Sequence, residues 1–432
     1  MSLTVRAFLF ASLAAGLAIV ELWSEAPLPI AASRITVALV ALGLIFEWVY
    51  VGRHSPVVSA AGESRLVLGE DENLRLAFSN PGTRPMHVQY VPALPQGVVH
   101  SRETRTVVIP PGSTAVESIP ARGVVLGSAK WQRIPVRVRG PLGLARWPRK
   151  LPLGAELAVV PDTLQSGSLR ATSVSQGLVA RSVIGGGMEL HHLRPYRRGD
   201  SRSTIDWKAT ARCGELVTRV FGEDQHLEIM LAIDAGRTSR IEIDGMSLLS
   251  HYVNLSARFA EYAVIAEDRA GLVVFSDRVI SAVPCRRGSG GVRQLRRALR
   301  GLTPQPVESN LIDVSLRIRE MARHRSLVIL FTDLYDRGEH SQLARSVRLL
   351  LPMHLPIVVG MQSEEVSELA HARAETWFDP YRSLAATEYQ RNIDRNVARL
   401  RRMGAYAISA RPRELDGRVF AMYDSLRSRR LV

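Results

Sequence analysis

The chain has few cysteines and few lysines, and both shortages exclude particular kinds of site. Only Cys213 and Cys285 occur among 432 residues, too few for a disulfide framework or a four-cysteine zinc site. This scarcity favours a reducing compartment. The three lysines are Lys130, Lys150 and Lys208. None follows the glycine spacing of a phosphate-binding loop, so the sequence offers no nucleotide site of that kind.

Arginine therefore supplies nearly all of the positive charge. The net charge of the chain is +15. The arginines are spread along the chain and do not form one basic arm, which makes nucleic-acid binding the weaker interpretation. An anionic membrane surface is the favoured partner for this charge. A basic module that binds another polyanion stays open as an alternative.

Two apolar runs open the chain, Val5–Trp23 and residues 28–51. Each has about 20 residues, enough for a helix to cross a hydrocarbon layer of about 30 Å. We predict a two-helix transmembrane hairpin over residues 1–54. Arg6 and Arg53 flank the runs and place both ends in the cytoplasm by the positive-inside rule. A cleaved signal peptide is the alternative for the first run, but the second follows almost at once.

Residues 55–162 show short alternating runs of apolar and polar side chains, separated by glycine and proline. Residues 74–78 (LRLAF) and 135–139 (PVRVR) are examples. Alternation with a period of two between such breaks is typical of antiparallel strands. We predict a β-sandwich that acts as a spacer domain.

Residues 163–225 are interpreted as a linker that contains a segment dense in opposite charges and aromatic rings. The segment includes Arg194, Tyr196, Asp200, Arg202, Asp206, Trp207, Lys208 and Arg212. Guanidinium groups pair with carboxylates and stack on rings, so we predict a salt-bridged structural platform that could also bind a partner. A basic surface patch for phosphates is the alternative.

These same residues resemble the signature of the bacterial domain-of-unknown-function family 58. The resemblance implies a von Willebrand factor A-like domain that follows N-terminal membrane spans. It also implies a protein partner, a MoxR-type AAA+ ATPase, and a location in the bacterial inner membrane with the soluble domains in the cytoplasm.

In residues 226–432, apolar strand patterns alternate with helical ones. This order predicts an α/β domain in which a mainly parallel sheet is flanked by helices, the von Willebrand A-like fold class. Asp234 and Asp333 each end an apolar strand. Ligands gather at the carboxyl ends of strands in such sheets, so we expect the two carboxylates to share that edge.

Ser309 and Thr238, or its neighbour Ser239, could join them, and carboxylates with hydroxyls suit Mg²⁺. The arrangement resembles the metal-ion-dependent adhesion site of von Willebrand A-type domains. By that resemblance Asp234, Thr238, Ser309 and Asp333 would be ligands, whereas Gly236 stands in place of one hydroxyl. Alternatively, the two aspartates cap helices or bind loop amides.

No nucleophile with a matched base is evident, so we do not expect an enzyme. The sequence favours a membrane-anchored cytoplasmic scaffold with the acidic edge of the sheet as its contact face. The family resemblance implies that it works in complex assembly or envelope stress. A metal-dependent hydrolase at Asp234 and Asp333 is the alternative.

Overall fold

The structure is a computed structural model that describes residues 2–23, 27–62, 64–162, 183–223, 226–335 and 341–429. The chain divides into two compact units. The first comprises Met1–Pro161 with Arg300–Leu302, and the second comprises Asp162–Leu299 with Thr303–Val432. Part of the predicted linker, residues 163–182 and 224–225, lies outside the described residues, as do the hairpin residues 24–26.

The first unit begins with a short strand and two helices, β1 (Ser2–Leu3), α1 (Val5–Trp23) and α2 (Pro27–Arg53). Among the described residues, one helical stretch is long and apolar enough to cross a membrane, Ala32–Arg53 with 22 residues. The apolar stretch of α1 covers only Val5–Val20, about 24 Å of helix. The predicted pair of spanning helices is therefore corrected to one candidate span.

Nine strands follow and form two sheets. They are β2 (Val57–Ala60), β3 (Arg65–Val67), β4 (Asp71–Ser79), β5 (Met86–Tyr90), β6 (Val98–His100), β7 (Arg105–Ile109), β8 (Thr114–Gly123), β9 (Gly127–Arg139) and β10 (Ala145–Val160). One sheet has the order β1-β10-β9-β5-β7 with β3 beside β10, and the other has the order β2-β4-β8-β6. Burial alternates along β8 and β9, so each strand turns one row of side chains inward. Phe78 and Tyr90 meet across the two sheets, with ring centroids 4.9 Å apart.

The second unit opens with an antiparallel ribbon, β11 (Val183–Pro195) and β12 (Val217–Glu223). A short helix, α3 (Trp207–Cys213), lies between the two strands in sequence. Left-handed Gly214, with φ of 75°, ends α3 and donates its N–H to Thr210, as glycine favours at a helix end.

The rest of the second unit builds a six-stranded sheet and its helices. The elements are β13 (Glu228–Asp234), β14 (Glu242–Ile243), β15 (Met246–Ser247), α4 (Leu248–Ile265), β16 (Arg269–Phe275), β17 (Val279–Arg286), α5 (Gly288–Leu299), α6 (Leu311–Met321), β18 (Leu327–Phe331), α7 (Gln342–Leu350), β19 (Leu355–Met361), α8 (Glu364–His371), α9 (Asp379–Arg402), β20 (Tyr406–Ala410) and α10 (Pro412–Ser428). The sheet order is β17-β16-β13-β18-β19-β20. β18 is buried along its whole length, which explains why its sequence is apolar without alternation.

The predicted fold class is wrong for this chain. Antiparallel pairs outnumber parallel pairs across the described strands, which lie in several separate sheets. The chain is therefore not a mainly parallel von Willebrand A-like sheet flanked by helices. The physical reason is that consecutive strands such as β9 and β10 are joined by short turns, and a short turn allows only antiparallel pairing.

Candidate functional site

A pocket of about 350 Å³ lies where β13 and β18 end. The two strands are parallel neighbours, with Ile233 opposite Phe331, so the residues that follow each strand meet at one edge of the sheet. The pocket is lined by Asp234, Arg237, Thr238, Glu308, Ser309, Leu311, Thr332, Asp333, Tyr335, Gln342 and Leu343. All four predicted ligand residues are among them.

Asp234 is the buried centre of this site, with 2% of its surface exposed. Its Oδ1 accepts the backbone N–H of Gly236 at 2.8 Å and a short hydrogen bond from the hydroxyl of Ser309. Its Oδ2 accepts the hydroxyl of Thr332 at 2.7 Å. The carboxylate thus joins three separate stretches of the chain.

Gly236 permits this arrangement because Ser309 occupies the space beside it. A Cβ at position 236 would collide with the Ser309 hydroxyl and would lie 3.0 Å from the carbonyl oxygen of Val307. The backbone N–H of Arg237 donates to that same carbonyl at 2.7 Å. The hydroxyl of a distant residue therefore occupies the space that a side chain at position 236 would need.

Burial raises the pKa of Asp234, and this is the largest influence on it. The hydrogen bonds from Ser309, Thr332 and Gly236 act in the opposite direction because they stabilise the ionised form. Loss of one of these donors should therefore move the pKa further upward.

Asp333 and Thr238 lie at more open positions of the pocket, and each is half-buried. Asp333 Oδ1 accepts the backbone N–H of Tyr335 at 2.9 Å. At the rim, Arg237 and Glu308 form an exposed ion pair at 3.0 Å. The Arg237 guanidinium is thus paired with Glu308 at the rim.

The oxygen atoms of this pocket are of the kind that Mg²⁺ prefers, carboxylates and hydroxyls. Asp234, Thr238, Ser309 and Asp333 would hold the ion, and Asp333 is the more accessible of the two carboxylates. Over the described ranges, no group of three or more His, Cys, Asp or Glu side chains is placed to hold a metal. Mg²⁺ binding therefore stays a prediction that depends on hydroxyl ligands.

Sequence reasoning missed Thr332 and Glu308. Thr332 stands directly before Asp333, and a hydroxyl residue at the end of a buried strand was an available signal. Glu308 precedes Ser309 in a loop, and only the folded chain brings it to Arg237.

The segment of residues 194–212 contains a well-defined ion pair. Two nitrogens of Arg194 bond to the two oxygens of Asp200, each at 2.8 Å. Asp200 Oδ2 also accepts the backbone N–H of Arg197 at 2.9 Å, and the Tyr196 hydroxyl donates to the Asp200 carbonyl at 3.2 Å. The Arg194 guanidinium, followed by the Arg197 amide, lowers the pKa of Asp200.

Asp206 caps α3 by accepting the backbone N–H of Ala209 at 3.0 Å, and its carboxylate lies 4.0 Å from Arg219. Trp207 follows with 67% of its surface exposed. Arg202, Lys208 and Arg212 are exposed as well. The segment therefore combines a paired, folded part with a Trp and cations that face solvent.

The family described as "Protein of unknown function DUF58" matches residues 192–410. The chain belongs to this family. The matched region contains the Arg194–Asp200 pair and all four predicted ligand residues, so the family resemblance of the sequence is confirmed. Association with a MoxR-type ATPase stays a prediction.

Two other comparisons add little. No curated protein matches the chain. Among solved structures, it is similar to the crystal structure of conserved hypothetical protein BatB from Bacteroides thetaiotaomicron. The similarity covers 32% of this chain and 68% of that chain, with 13% identity and a TM-score of 0.27. A similarity this weak assigns neither fold nor function.

Proposed function

We propose that this protein is a membrane-anchored docking protein that binds a protein partner at the pocket around Asp234. The apolar helix Ala32–Arg53 supports the anchor. In the proposal the soluble parts face the cytoplasm of a bacterium. The partner is a MoxR-type AAA+ ATPase, as the family resemblance implies.

The observation that carries the proposal is the contrast between the floor and the rim of the pocket. The floor is fixed, because Asp234 is buried and held by three donors. The rim is the exposed Arg237–Glu308 pair, free to exchange partners. Charges at the edge of an interface mainly set association rate and specificity, which suits a docking site better than a catalytic one.

Mg²⁺ is an optional part of the same proposal. An ion held by Asp333, Thr238, Ser309 and Asp234 would offer a positive centre to a carboxylate of the partner. Without the ion, the acidic pocket suits a basic side chain. Binding measured in Mg²⁺ and then in a chelator distinguishes these modes, because only the first loses affinity in the chelator.

The docking test uses the full-length protein in lipid nanodiscs and a purified MoxR-type ATPase from the same genome. An exposed ion pair contributes only about 0–1 kcal/mol to folding, so Arg237→Glu should leave the protein folded. We expect it to weaken binding about tenfold or more, equivalent to about 1.4 kcal/mol. The double variant Arg237→Glu with Glu308→Arg exchanges the two charges and tests whether binding depends on the sign of the charge at each position.

Arg325→Glu is the matched control, since Arg325 is also exposed but precedes β18 at the opposite edge of the sheet. Equal affinity for wild type, Arg237→Glu and Arg325→Glu would contradict docking at this pocket. The anchor is tested separately by flotation of the full-length protein with lipid vesicles, and recovery of the chain in the unbound fraction would contradict it.

A further inference from the structure

We propose that the turn between β9 and β10, residues 140–144, is embedded in the lipid bilayer beside α2. Glu47 and Thr4 pair with four of the backbone polar groups that the turn and Ala145 carry into the apolar layer. This inference rests on the membrane anchor of the proposed function. It assigns lipid acyl chains as the occupant of the surface around Leu142, which is 45% exposed.

The depth of the turn follows from its contact with α2. A Cβ on Gly43 would lie 2.8 Å from a methyl carbon of Leu144 and 3.4 Å from one of Leu142. Because glycine has no side chain, both leucines can pack against the helix at Gly43. The turn touches α2 in the middle of its apolar stretch, not at its end.

The length of the helix indicates how deep in the bilayer this contact lies. The stretch Ala32–Arg53 has 22 residues, about 33 Å at 1.5 Å per residue, so nearly all of it is needed to cross about 30 Å of hydrocarbon. Gly43 lies about 15 Å along the helix from Arg53. Even if exposed Trp48 marks the membrane–water interface, Gly43 lies about 7.5 Å further along the helix toward the centre of the bilayer.

A turn at this depth must have its backbone groups paired, because lipid supplies no hydrogen bonds. Glu47 accepts the N–H groups of Leu144 and Ala145, each at 2.9 Å. The Thr4 hydroxyl donates to the carbonyl of Gly143 at 2.5 Å, and the Thr4 N–H donates to that of Leu144 at 2.9 Å.

Two further N–H groups of the turn are paired internally. Gly140 donates its N–H to Ala145, and Gly143 donates its N–H to Gly140, both at 3.0 Å. Pro141 has no N–H to satisfy. This pattern also explains Glu47, a carboxylate with 0% exposure within the apolar part of the helix, where an ionisable residue is costly without partners.

Positive charge beyond the turn supports lipid as the occupant. Exposed Arg146 follows the turn on β10, and exposed Arg53 ends α2. Arg149 lies against Gly52, because a Cβ there would be 3.2 Å from its guanidinium. The guanidinium of Arg139 also lies against Gly143 of the turn. Exposed Leu142 with arginines around it matches acyl chains bordered by anionic headgroups. A protein partner on Leu142 would not require arginines at that level.

The test uses the unmodified full-length protein in vesicles of phosphatidylethanolamine and phosphatidylglycerol. A small fraction of the lipid carries a photoactivatable diazirine near the end of one acyl chain. After illumination and trypsin digestion, mass spectrometry locates lipid adducts. Cleavage at arginine and lysine yields residues 35–53 from α2, residues 140–146 with the turn, and residues 123–130 from the opposite end of the sandwich.

We expect adducts on residues 35–53 and 140–146 and none on 123–130, although Val125 there is as exposed, at 46%, as Leu142. Adducts on 35–53 without 140–146 would overturn the embedded turn while keeping the anchor. Absence of adducts on 35–53 would overturn the anchor itself. Similar labelling of 123–130 and 140–146 would mean nonspecific reaction and would also overturn the inference.

A pair of variants adds a second measurement. Leu142→Asp places a charge at the exposed tip without touching the Glu47 hydrogen bonds, and we expect it to suppress adducts on 140–146 while those on 35–53 persist. Val125→Asp, the matched control at the opposite end, should change neither peptide. Unchanged labelling of 140–146 in Leu142→Asp would contradict an embedded tip.

Discussion

Ser309 occupies the space beside Gly236 that any side chain at position 236 would need. From there its hydroxyl donates to Asp234, which also accepts the N–H of Gly236. The loop before α6 and the loop after β13 are therefore interlocked. A change at one of these two residues must disturb the other.

Gly236→Ala should destabilise the second unit, because the new methyl group collides with Ser309 and with the carbonyl of Val307. Overpacking of this kind costs about 1–3 kcal/mol. Urea unfolding of the full-length protein would measure the loss. Gly417→Ala is the control. Nothing lies within 4 Å of a Cβ there, and alanine in a helix such as α10 should be neutral or slightly stabilising. An equal effect of both variants would contradict the interlock.

Thr332→Val should also destabilise the protein, since it removes the hydroxyl donor of a buried carboxylate with little change of shape. Leaving such an acceptor unpaired costs about 1–3 kcal/mol. Because Asp234 has a raised pKa, its contribution to stability is most favourable at low pH and declines as the pH rises through that pKa. The variant should therefore lose more stability at about pH 7.5 than at about pH 4.

Thr332→Ser keeps the hydroxyl and serves as the control for this pH series. Thermal unfolding across the pH range provides the measurement. A loss in Thr332→Val that does not vary with pH would show that packing, not the Asp234 carboxylate, is responsible.

Arg258 joins two carboxylates of the second unit, with nitrogens 2.7 Å from Asp162 and 2.5 Å from Asp416. Arg258→Met should lower the free energy of unfolding by about 3–5 kcal/mol, because the carboxylates of Asp162 and Asp416 would stay largely buried without their positive partner. Burial, more than any charge, raises the pKa of Asp416, while Arg258 opposes the rise. Removal of Arg258 should therefore raise the pKa further.

The pH dependence has a definite sign. A raised carboxyl pKa makes the folded state hold its proton more tightly, so stability increases as the pH falls through that pKa. Arg258→Met should recover much of its lost stability in acid, as denaturant unfolding at several pH values would reveal. Arg258→Lys, which keeps one charge, should show a smaller loss. If Arg258→Met lost the same stability at every pH, the proposed coupling between Arg258 and the two carboxylates would be contradicted.

Asp200→Asn should loosen the turn that follows β11, since it removes the charge that pairs with both nitrogens of Arg194. Because the pKa of Asp200 is lowered, the pairing is fully present above its unfolded pKa and is lost as the pH falls through the folded value. Hydrogen exchange of the Arg197 and Asp200 amides should be faster in the variant at neutral pH and converge with wild type in acid. Exposed Arg198→Ala should leave both amides unchanged.

Some properties of the chain could be predicted because they depend on neighbouring residues. The family was identified from the signature around Arg194. The positions of Asp234 and Asp333 at strand ends followed from two short apolar runs, and the two residues do line one pocket. The ends of strands can be predicted in this way because the hydrophobic pattern of neighbouring residues indicates where a strand begins and ends.

The fold class could not be assigned in the same way. The alternation of helices and strands in residues 226–432 predicted a mainly parallel sheet as the fold class, whereas antiparallel pairs predominate over the described strands, which lie in several sheets. Likewise, two apolar runs predicted two spans, but among the residues that the structure describes only Ala32–Arg53 is long and apolar enough. Pairing depends on which strands meet, and that is not encoded in a single run.

The sequence by itself determined composition, the apolar N-terminus, the family and the candidate acidic residues. Only tertiary structure decided that Ser309 stands in for a side chain at Gly236, that Thr332 holds Asp234, and that Glu47 meets Leu144 across 97 residues. Each of these contacts joins distant parts of the chain. Local patterns specify which side chains are buried, whereas the partner of a buried polar group is fixed only when the elements pack.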